Sequence, residues 1–230
     1  MPETTAVSSA PTMDAPSVAV SMRSLRKTFG DVVAVDSVDL DIYDGEFLTL
    51  LGPSGSGKTT TLNALAGFIE MSSGHIAIDG VSISDLPTEK RNIGMGFQEF
   101  ELLEYLTVLD NILLPYRISD ALQLTSAVRE RAIELAQRVG IGDKVRRNVD
   151  RLSHGERQRV GICRALVTEP SLVLADEPTG SLDPANKGRV LEILTDYASR
   201  NSATFVAVTH DHELLPQFDR VIDFRDLRQP

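Results

Sequence analysis

Apolar and polar residues alternate along two segments near the beginning of the chain, residues 18–22 and 32–42. Alternation of this kind predicts strands with one buried face. Residues 46–51 form a short, mainly apolar run that stops at Gly52-Pro53, which predicts a buried strand ending in a loop. Residues 59–68 predict a helix. A buried strand, a loop and a helix therefore follow one another in this part of the chain.

The rest of the chain alternates short apolar runs with helical patterns. Apolar residues recur at helical spacing over residues 124–139, within a longer helical stretch at 102–147 that we interpret as an insertion. Further strands are predicted at 75–79, 92–97, 172–175, 205–208 and 221–224, and a further helix at 186–200. Buried strands that alternate with helices predict an α/β fold whose mostly parallel sheet is covered on both faces.

Length and composition narrow the class of protein. The 230 residues suffice for one large domain, which we place at residues 18–230, after a disordered tail at 1–17 rich in Ala, Ser, Thr and Pro. No apolar run exceeds four residues, so no membrane-spanning segment is predicted. The formal net charge of −10 argues against a nucleic-acid binder, because Lys and Arg hold phosphate backbones. The single cysteine, Cys163, excludes an intramolecular disulfide.

A glycine-rich loop follows the buried strand. Residues 52–59 match G-x-x-x-x-G-K-[ST] at every fixed position. Such a loop points backbone N–H groups at a polyphosphate, while Lys58 reaches the β and γ oxygens and the Thr59 hydroxyl binds Mg²⁺. The residues expected to contact the nucleotide are Gly52, Pro53, Ser54, Gly55, Ser56, Gly57, Lys58, Thr59 and Thr60.

The second part of this site is predicted at the end of another strand. The apolar run at 172–175 is followed directly by Asp176 and Glu177. We expect Asp176 to hold Mg²⁺ through water, and Glu177 to accept a proton from the attacking water.

Residues 152–159, Leu-Ser-His-Gly-Glu-Arg-Gln-Arg, resemble the signature motif of ATP-binding cassette (ABC) proteins. Other elements of that family occur in the expected order. Phe29 is similar to the aromatic residue that stacks on adenine, Gln98 to the glutamine that contacts Mg²⁺ and the attacking water, and His210 to the histidine that contacts the γ-phosphate. Residues 181–183, Ser-Leu-Asp, resemble the loop that crosses the dimer interface.

The resemblance covers about residues 18–225 and implies a fold and a reaction. The fold is a P-loop NTPase core with a mostly parallel sheet, an antiparallel β subdomain and an α-helical subdomain inserted at about residues 99–165. The reaction is ATP hydrolysis with ATP and Mg²⁺ as cofactors. The implied catalytic residues are Glu177, His210, Gln98 and Lys58, and the implied metal-site residues are Thr59, Gln98 and Asp176.

The resemblance also implies a homodimer, or a pseudo-symmetric dimer, that encloses two ATP molecules. Each nucleotide would then contact the signature residues and the interface loop of the partner copy, namely Ser153, His154, Gly155, Glu156 and Asp183. His154 stands where Gly is usual and Glu156 where Gln is common. We expect activity to survive these differences.

Three classes of ABC protein compete: a transporter's ATPase subunit, a soluble ATPase acting on nucleic acid or ribosomes, and a regulator without turnover. The interval from Lys58 to Ser153 contains no sustained heptads, unlike chromosome-type relatives, and the chain carries one cassette, unlike ribosome-acting ones. Because Glu177 and His210 are both present, turnover is expected. We therefore favour a peripheral subunit on the cytoplasmic face of the inner membrane, bound to integral membrane permease subunits and not to nucleic acid.

The type of transporter is left open, because the two halves resemble different subfamilies. Residues 45–98 look like the ATPases of polyamine and ferric-ion importers, whereas residues 111–115, 155–160 and 175–183 look like lipoprotein-release and macrolide-export ATPases. The importers' additional β-rich domain is not expected here. We favour the release or export type, and a recombinant of two cassettes would also explain the mixture. The residues expected to contribute to the permease contact are Phe100, Leu102, Leu103, Tyr105 and Leu106.

Overall fold

The structure is a computed structural model that describes residues 17–84, 86, 88–91, 93–96, 102–180 and 184–227. Several of the features expected from the sequence lie outside these residues. They are the tail up to residue 16, Gln98, Phe100 and the Ser-Leu-Asp segment that ends at Asp183.

An antiparallel sheet is built mainly from the first part of the chain. Its strands are β1 (Val18–Phe29), β2 (Val32–Tyr43), β4 (Ser73–Ile78) and β5 (Val81–Ser82), in the order β2-β1-β4-β5. Strand β1 continues well beyond the alternation that predicts it. Apart from Leu25, residues 23–28 are polar, and Arg23 and Arg26 form ion pairs with Asp41 and Asp36 of β2. These exposed cross-strand ion pairs add to the pairing, while Leu25 and Val38 of β2 form a buried apolar pair between them.

A parallel sheet forms the centre of the molecule. Its described strands are β3 (Phe47–Leu51), β6 (Ile93–Gly96), β7 (Leu172–Asp176), β8 (Thr204–Val208) and β9 (Arg220–Asp223). They lie in the order β6-β7-β8-β3-β9. Because β7, β8 and β3 are neighbours and parallel, the loops after their carboxyl ends meet at one edge of the sheet.

The helices connect these strands. They are α1 (Lys58–Ala66), α2 (Val108–Ile112), α3 (Pro115–Ile118), α4 (Ser126–Arg138), α5 (His154–Leu166) and α6 (Pro184–Asn201), with short 3₁₀ helices at Thr88–Lys90, Gly142–Lys144, Val149–Arg151 and His212–Gln217. Helix α4 coincides closely with the periodic segment at 124–139, and the hydroxyl of Thr125 caps it by accepting from Val128 N at 3.3 Å. No described helix is long and apolar enough to cross a membrane.

Two hydrophobic cores lie on opposite faces of the parallel sheet. Leu172 and Leu174 of β7 pack in the core shared with α1 and the antiparallel sheet. Val173 and Ala175 pack in the other core, with α2, α4, α5 and α6. Since successive strand residues point to opposite faces, a strand covered on both sides is apolar at every position, as the continuous runs in the sequence predict.

Candidate nucleotide site

The phosphate loop leaves β3 and ends at the first residue of α1. Gly57, the residue before the helix, has φ of 103°, and a Cβ at this position would lie 2.5 Å from the Ala34 carbonyl oxygen. Only glycine fits both the backbone conformation and the close approach of β2. The second glycine of the motif is therefore required by packing as well as by any ligand.

Lys58 folds back over the loop. Its ammonium donates hydrogen bonds to the carbonyl oxygens of Gly52 at 2.7 Å and Pro53 at 2.8 Å. Burial lowers the pKa of Lys58, and the nearby carboxylates of Glu177, Asp176 and Asp223 oppose that shift. The Lys58 ammonium is thus held against the phosphate loop, close to three carboxylates.

Asp176 and Thr59 bring two oxygen atoms together across the site. The Thr59 hydroxyl lies 3.4 Å from Asp176 Oδ1, although the residues are far apart in sequence. Burial is the largest cause of a raised pKa at Asp176. Hydroxyl and carboxylate oxygens are the ligands that Mg²⁺ takes in proteins, so this pair fits the predicted metal.

The second carboxylate at the end of β7, that of Glu177, contacts His210. His210 Nδ1 lies 2.7 Å from Glu177 Oε1, and the second carboxylate oxygen is buried with no hydrogen-bond partner among the described residues. The Glu177 backbone has φ of 50°, and its N–H donates to the Val208 carbonyl at 2.9 Å. Positive φ at a non-glycine residue costs about 1–3 kcal/mol and is concentrated at functional sites. The strain directs the carboxylate into the site.

These groups surround one cavity of about 260 Å³. Its lining residues are Ser54, Gly55, Ser56, Gly57, Lys58, Thr59, Thr60, Asp176, Glu177, Val208 and His210. The structure therefore brings together most of the predicted phosphate, metal and catalytic residues that it describes. Glycine N–H groups, a lysine and hard oxygen ligands in one cavity suit a polyphosphate with a divalent cation.

Two other predicted parts lie outside that lining. Phe29 ends β1, and 51% of its surface is exposed. The Lys27 ammonium lies 5.0 Å from the centre of the Phe29 ring. An exposed ring at this position is free to stack on a base. The signature residues Ser153 to Glu156 also do not contribute to the lining.

The signature motif forms the beginning of α5. Ser153 caps the helix with its hydroxyl, which accepts from Glu156 N at 3.3 Å, and the Glu156 carboxylate accepts from Ser153 N at 2.9 Å. These two reciprocal hydrogen bonds form a capping box, which stabilises the first turn of the helix. Lys144, from the preceding 3₁₀ helix, forms an ion pair with Glu156.

Two contacts made by α5 are absent from the sequence-based prediction. The first is the ion pair between Lys144 and Glu156. The Glu at position 156, where Gln is common, is the sequence feature that could have predicted a nearby cation. The other is the Gln158 side-chain amide, which donates to the Pro178 carbonyl, one residue after Glu177. This hydrogen bond ties α5 to the end of β7, and only the three-dimensional structure reveals it.

A phosphate loop between β3 and α1, with acidic residues at the end of β7, defines a P-loop nucleoside triphosphatase. Residues 35–180 match the family described as ABC transporter, and the chain belongs to that family. It is an ATP-hydrolysing cassette of a transporter.

Two similar proteins agree with this assignment. The chain is 36% identical over 213 residues to the lipoprotein-releasing system ATP-binding protein LolD of Bacteroides thetaiotaomicron, covering 90% of this chain and 97% of LolD. It is 38% identical over 203 residues to the spermidine/putrescine import ATP-binding protein PotA of Thermotoga maritima, covering 88% of this chain and 55% of PotA.

Solved structures show the same fold. The dimeric structure of MJ0796, a bacterial ABC transporter cassette, superposes with a TM-score of 0.82 at 33% identity, covering 89% of this chain and 93% of MJ0796. A dimeric post-hydrolysis state of MJ0796 bound to ADP and Pi has a TM-score of 0.81 at 32% identity and the same coverage. The predicted fold class is confirmed.

Proposed function

We propose that two copies of this chain close around two Mg-ATP molecules and, on hydrolysis, drive a separate integral membrane permease. The observation that carries the proposal is the meeting of Lys58, Asp176, Glu177 and His210 in one cavity at the edge of the sheet. These residues come from three neighbouring strand ends, and together they can bind, orient and hydrolyse a polyphosphate.

Each residue has a role that follows from its chemistry. Lys58 holds the β- and γ-phosphates, and Thr59, Asp176 and Gln98 hold Mg²⁺ directly or through water. The metal, when bound, neutralises charge on the phosphate oxygens. Glu177 accepts the proton of the attacking water, because its carboxylate lines the cavity beside the phosphate loop, and His210 orients that carboxylate through its 2.7 Å contact.

The second copy supplies the other side of each site. The signature residues begin a 13-residue helix, α5, whose N-terminus carries positive potential. They do not line the cavity of their own chain, and the proposal assigns them to the nucleotide bound by the partner. Support comes from MJ0796, whose solved cassette is dimeric. Asp183 belongs to the loop that we place at this dimer interface, and Phe29 stacks on the adenine.

The permease binds the helical insertion. Tyr105, in the segment before α2, is 76% exposed, and Leu102, Leu103 and Leu106 beside it are partly exposed. An exposed aromatic residue with neighbouring leucines suits a protein contact. The proposal includes a peripheral position on the cytoplasmic face of the inner membrane and no nucleic-acid partner, and the exposed Tyr105 supports its protein contact.

The transported molecule is of the kind handled by release or export systems. LolD matches along nearly its whole length, and residues 111–115, 155–160 and 175–183 look like that type. The importer type is the second candidate. It is favoured by the 38% identity to PotA and by residues 45–98, which look like polyamine importers.

Replacing Glu177 by Gln tests the proposed chemistry. The variant should bind ATP with wild-type affinity, lose at least about 100-fold in turnover because the base is gone, and accumulate as an ATP-dependent dimer. Steady-state ATPase assays and sedimentation velocity measure the two effects. Glu192→Gln, an exposed change of the same kind on α6, is the matched control and should behave as wild type.

A Glu177→Gln protein that keeps full turnover would show that Glu177 is not the base. One that stays monomeric with ATP and Mg²⁺ would contradict the two-copy site.

A further inference from the structure

The first turn of α5 contains an acidic side chain at the place where the proposed function brings a phosphate. The Glu156 carboxylate does not extend into solvent. One oxygen accepts from Ser153 N at 2.9 Å, and the side chain is only 17% exposed. A fixed negative charge therefore lies at a helix N-terminus, where it occupies one of the N–H groups that could bind an anion.

Lys144 opposes that charge at close range. The ammonium of Lys144, at the end of the 3₁₀ helix Gly142–Lys144, donates to the other carboxylate oxygen of Glu156. Its side chain is 24% exposed, so the pair is partly shielded from water and salt. The hydrogen bond from Lys144 is the largest cause of the lowered pKa of Glu156, which keeps the carboxylate ionised and paired.

The charge around this pair differs from that of the whole chain. Residues 144–159 carry six basic and two acidic side chains, whereas the chain has a formal net charge of −10. Glu156 is thus a negative charge within a locally positive segment. An approaching ATP would meet repulsion from Glu156 unless the adjacent cation balanced it.

We propose that Lys144 is a positioning residue for the half of the ATP site that the partner copy supplies. It holds the Glu156 carboxylate in the capping box and balances its charge, so that the beginning of α5 accepts the γ-phosphate bound by the other copy. This inference rests on the proposed two-copy function. It assigns a role to a residue outside the signature motif and explains how the motif tolerates Glu at this position.

The test compares the ATP-dependent dimerisation of four full-length proteins in the Glu177→Gln background. They are the parent, Lys144→Met, Lys144→Met/Glu156→Gln and Lys144→Arg. Dimer dissociation constants come from sedimentation velocity with Mg-ATP at low and high salt. Lys144→Met should weaken the dimer about tenfold at low salt, because an unbalanced unit charge then faces the phosphate.

Two results would identify the cause as charge. The double variant, which removes both charges, should dimerise within about twofold of the parent, and Lys144→Arg should do the same. The defect of Lys144→Met should shrink at high salt, which screens repulsion. Lys90→Met, an exposed lysine on the 3₁₀ helix Thr88–Lys90, is the matched control and should dimerise as the parent does.

The failures can be told apart. A parent that does not dimerise with ATP would overturn the proposed function and this inference with it. A parent that dimerises equally well with and without Lys144 would overturn the inference alone. A double variant as weak as Lys144→Met would also overturn it, since Lys144 would then act through folding or by binding phosphate itself. ATP affinity of the monomer, measured by nucleotide titration, should be unchanged in all four proteins.

Discussion

At the scale of single residues, the site depends on backbone conformations that side chains rarely adopt. Gly57 and Glu177 both have positive φ, one before the helix that follows the phosphate loop and one after the strand that ends in Asp176. Glycine adopts such a conformation without cost, whereas Glu177 does so against a penalty. The difference indicates that position 57 is constrained by packing and position 177 by the direction of its carboxylate.

Replacing Gly57 by Ala should lower the free energy of unfolding by about 2 kcal/mol or more, because φ of 103° is combined with a Cβ 2.5 Å from a backbone oxygen. The matched control is Gly55→Ala, where φ is 77° and no atom lies within 4 Å of the new Cβ. It should cost about 1 kcal/mol, from the backbone alone. Urea unfolding of both variants measures the difference, and equal losses would contradict the packing argument.

At the scale of elements, an ion pair connects α6 to the 3₁₀ helix His212–Gln217 beside the site. The Lys187 ammonium contacts Asp211 Oδ2 at 2.5 Å, and Asp211 is the residue after His210. Asp211 also caps that short helix by accepting from Glu213 N at 3.1 Å. This pair therefore ties the beginning of α6 to the residue that follows His210.

Lys187→Met should reduce stability at pH 7, and the loss should disappear as the pH falls below about 4. The hydrogen bond from Lys187 is the largest cause of the lowered pKa of Asp211. A folded-state pKa below the usual value of about 3.9 contributes stability above that pH, and this contribution is lost as Asp211 is protonated.

Urea unfolding of both proteins from pH 7 to pH 3 checks the prediction, with Lys187→Arg as the control that keeps a cation. A difference that persists unchanged at pH 3 would show that packing of the lysine chain, and not its charge, is responsible.

At the scale of the whole molecule, strand order assembles the nucleotide site and leaves the signature motif outside its cavity. The order β7-β8-β3 brings Asp176, His210 and the phosphate loop to one edge, although they are widely separated in sequence. The signature motif lies in the helical insertion, outside the resulting cavity. This separation of the signature motif from the cavity agrees with the proposal that a second copy completes the site.

The Glu177→Gln protein, incubated with ATP and Mg²⁺ and purified from detergent-solubilised native membranes, should carry an integral membrane protein with it. Trapping the ATP-bound state favours recovery, because hydrolysis no longer separates the subunits. Mass spectrometry of the eluate identifies the partner, and the type of permease decides between release and import. Lys58→Ala, which should lose ATP affinity, is the control. Ribosomes or nucleic acid in place of a membrane protein would support a soluble ABC ATPase.

Much of the fold could be predicted because its main signals are local. The runs at residues 172–175 and 205–208 are strands, and the periodic segment at 124–139 is α4, since burial on two faces or along one stripe appears directly in sequence. The later half of β1 could not be predicted in this way. Its polar residues break the alternation around Leu25, which is buried opposite Val38 of β2, so the sequence pattern does not reveal that the strand continues.

The sequence by itself determined the class of chemistry, because the phosphate loop and the acidic strand end are contiguous motifs whose residue types already imply a bound polyphosphate. Tertiary structure decided which side chains meet. Glu177 Oε1 lies 2.7 Å from His210 Nδ1, and Lys144 forms an ion pair with Glu156. These contacts join residues from different elements, and their geometry depends on strand order and helix packing. No local pattern specifies that order, because side-chain alternation records which face of a strand is buried and not which strand lies beside it.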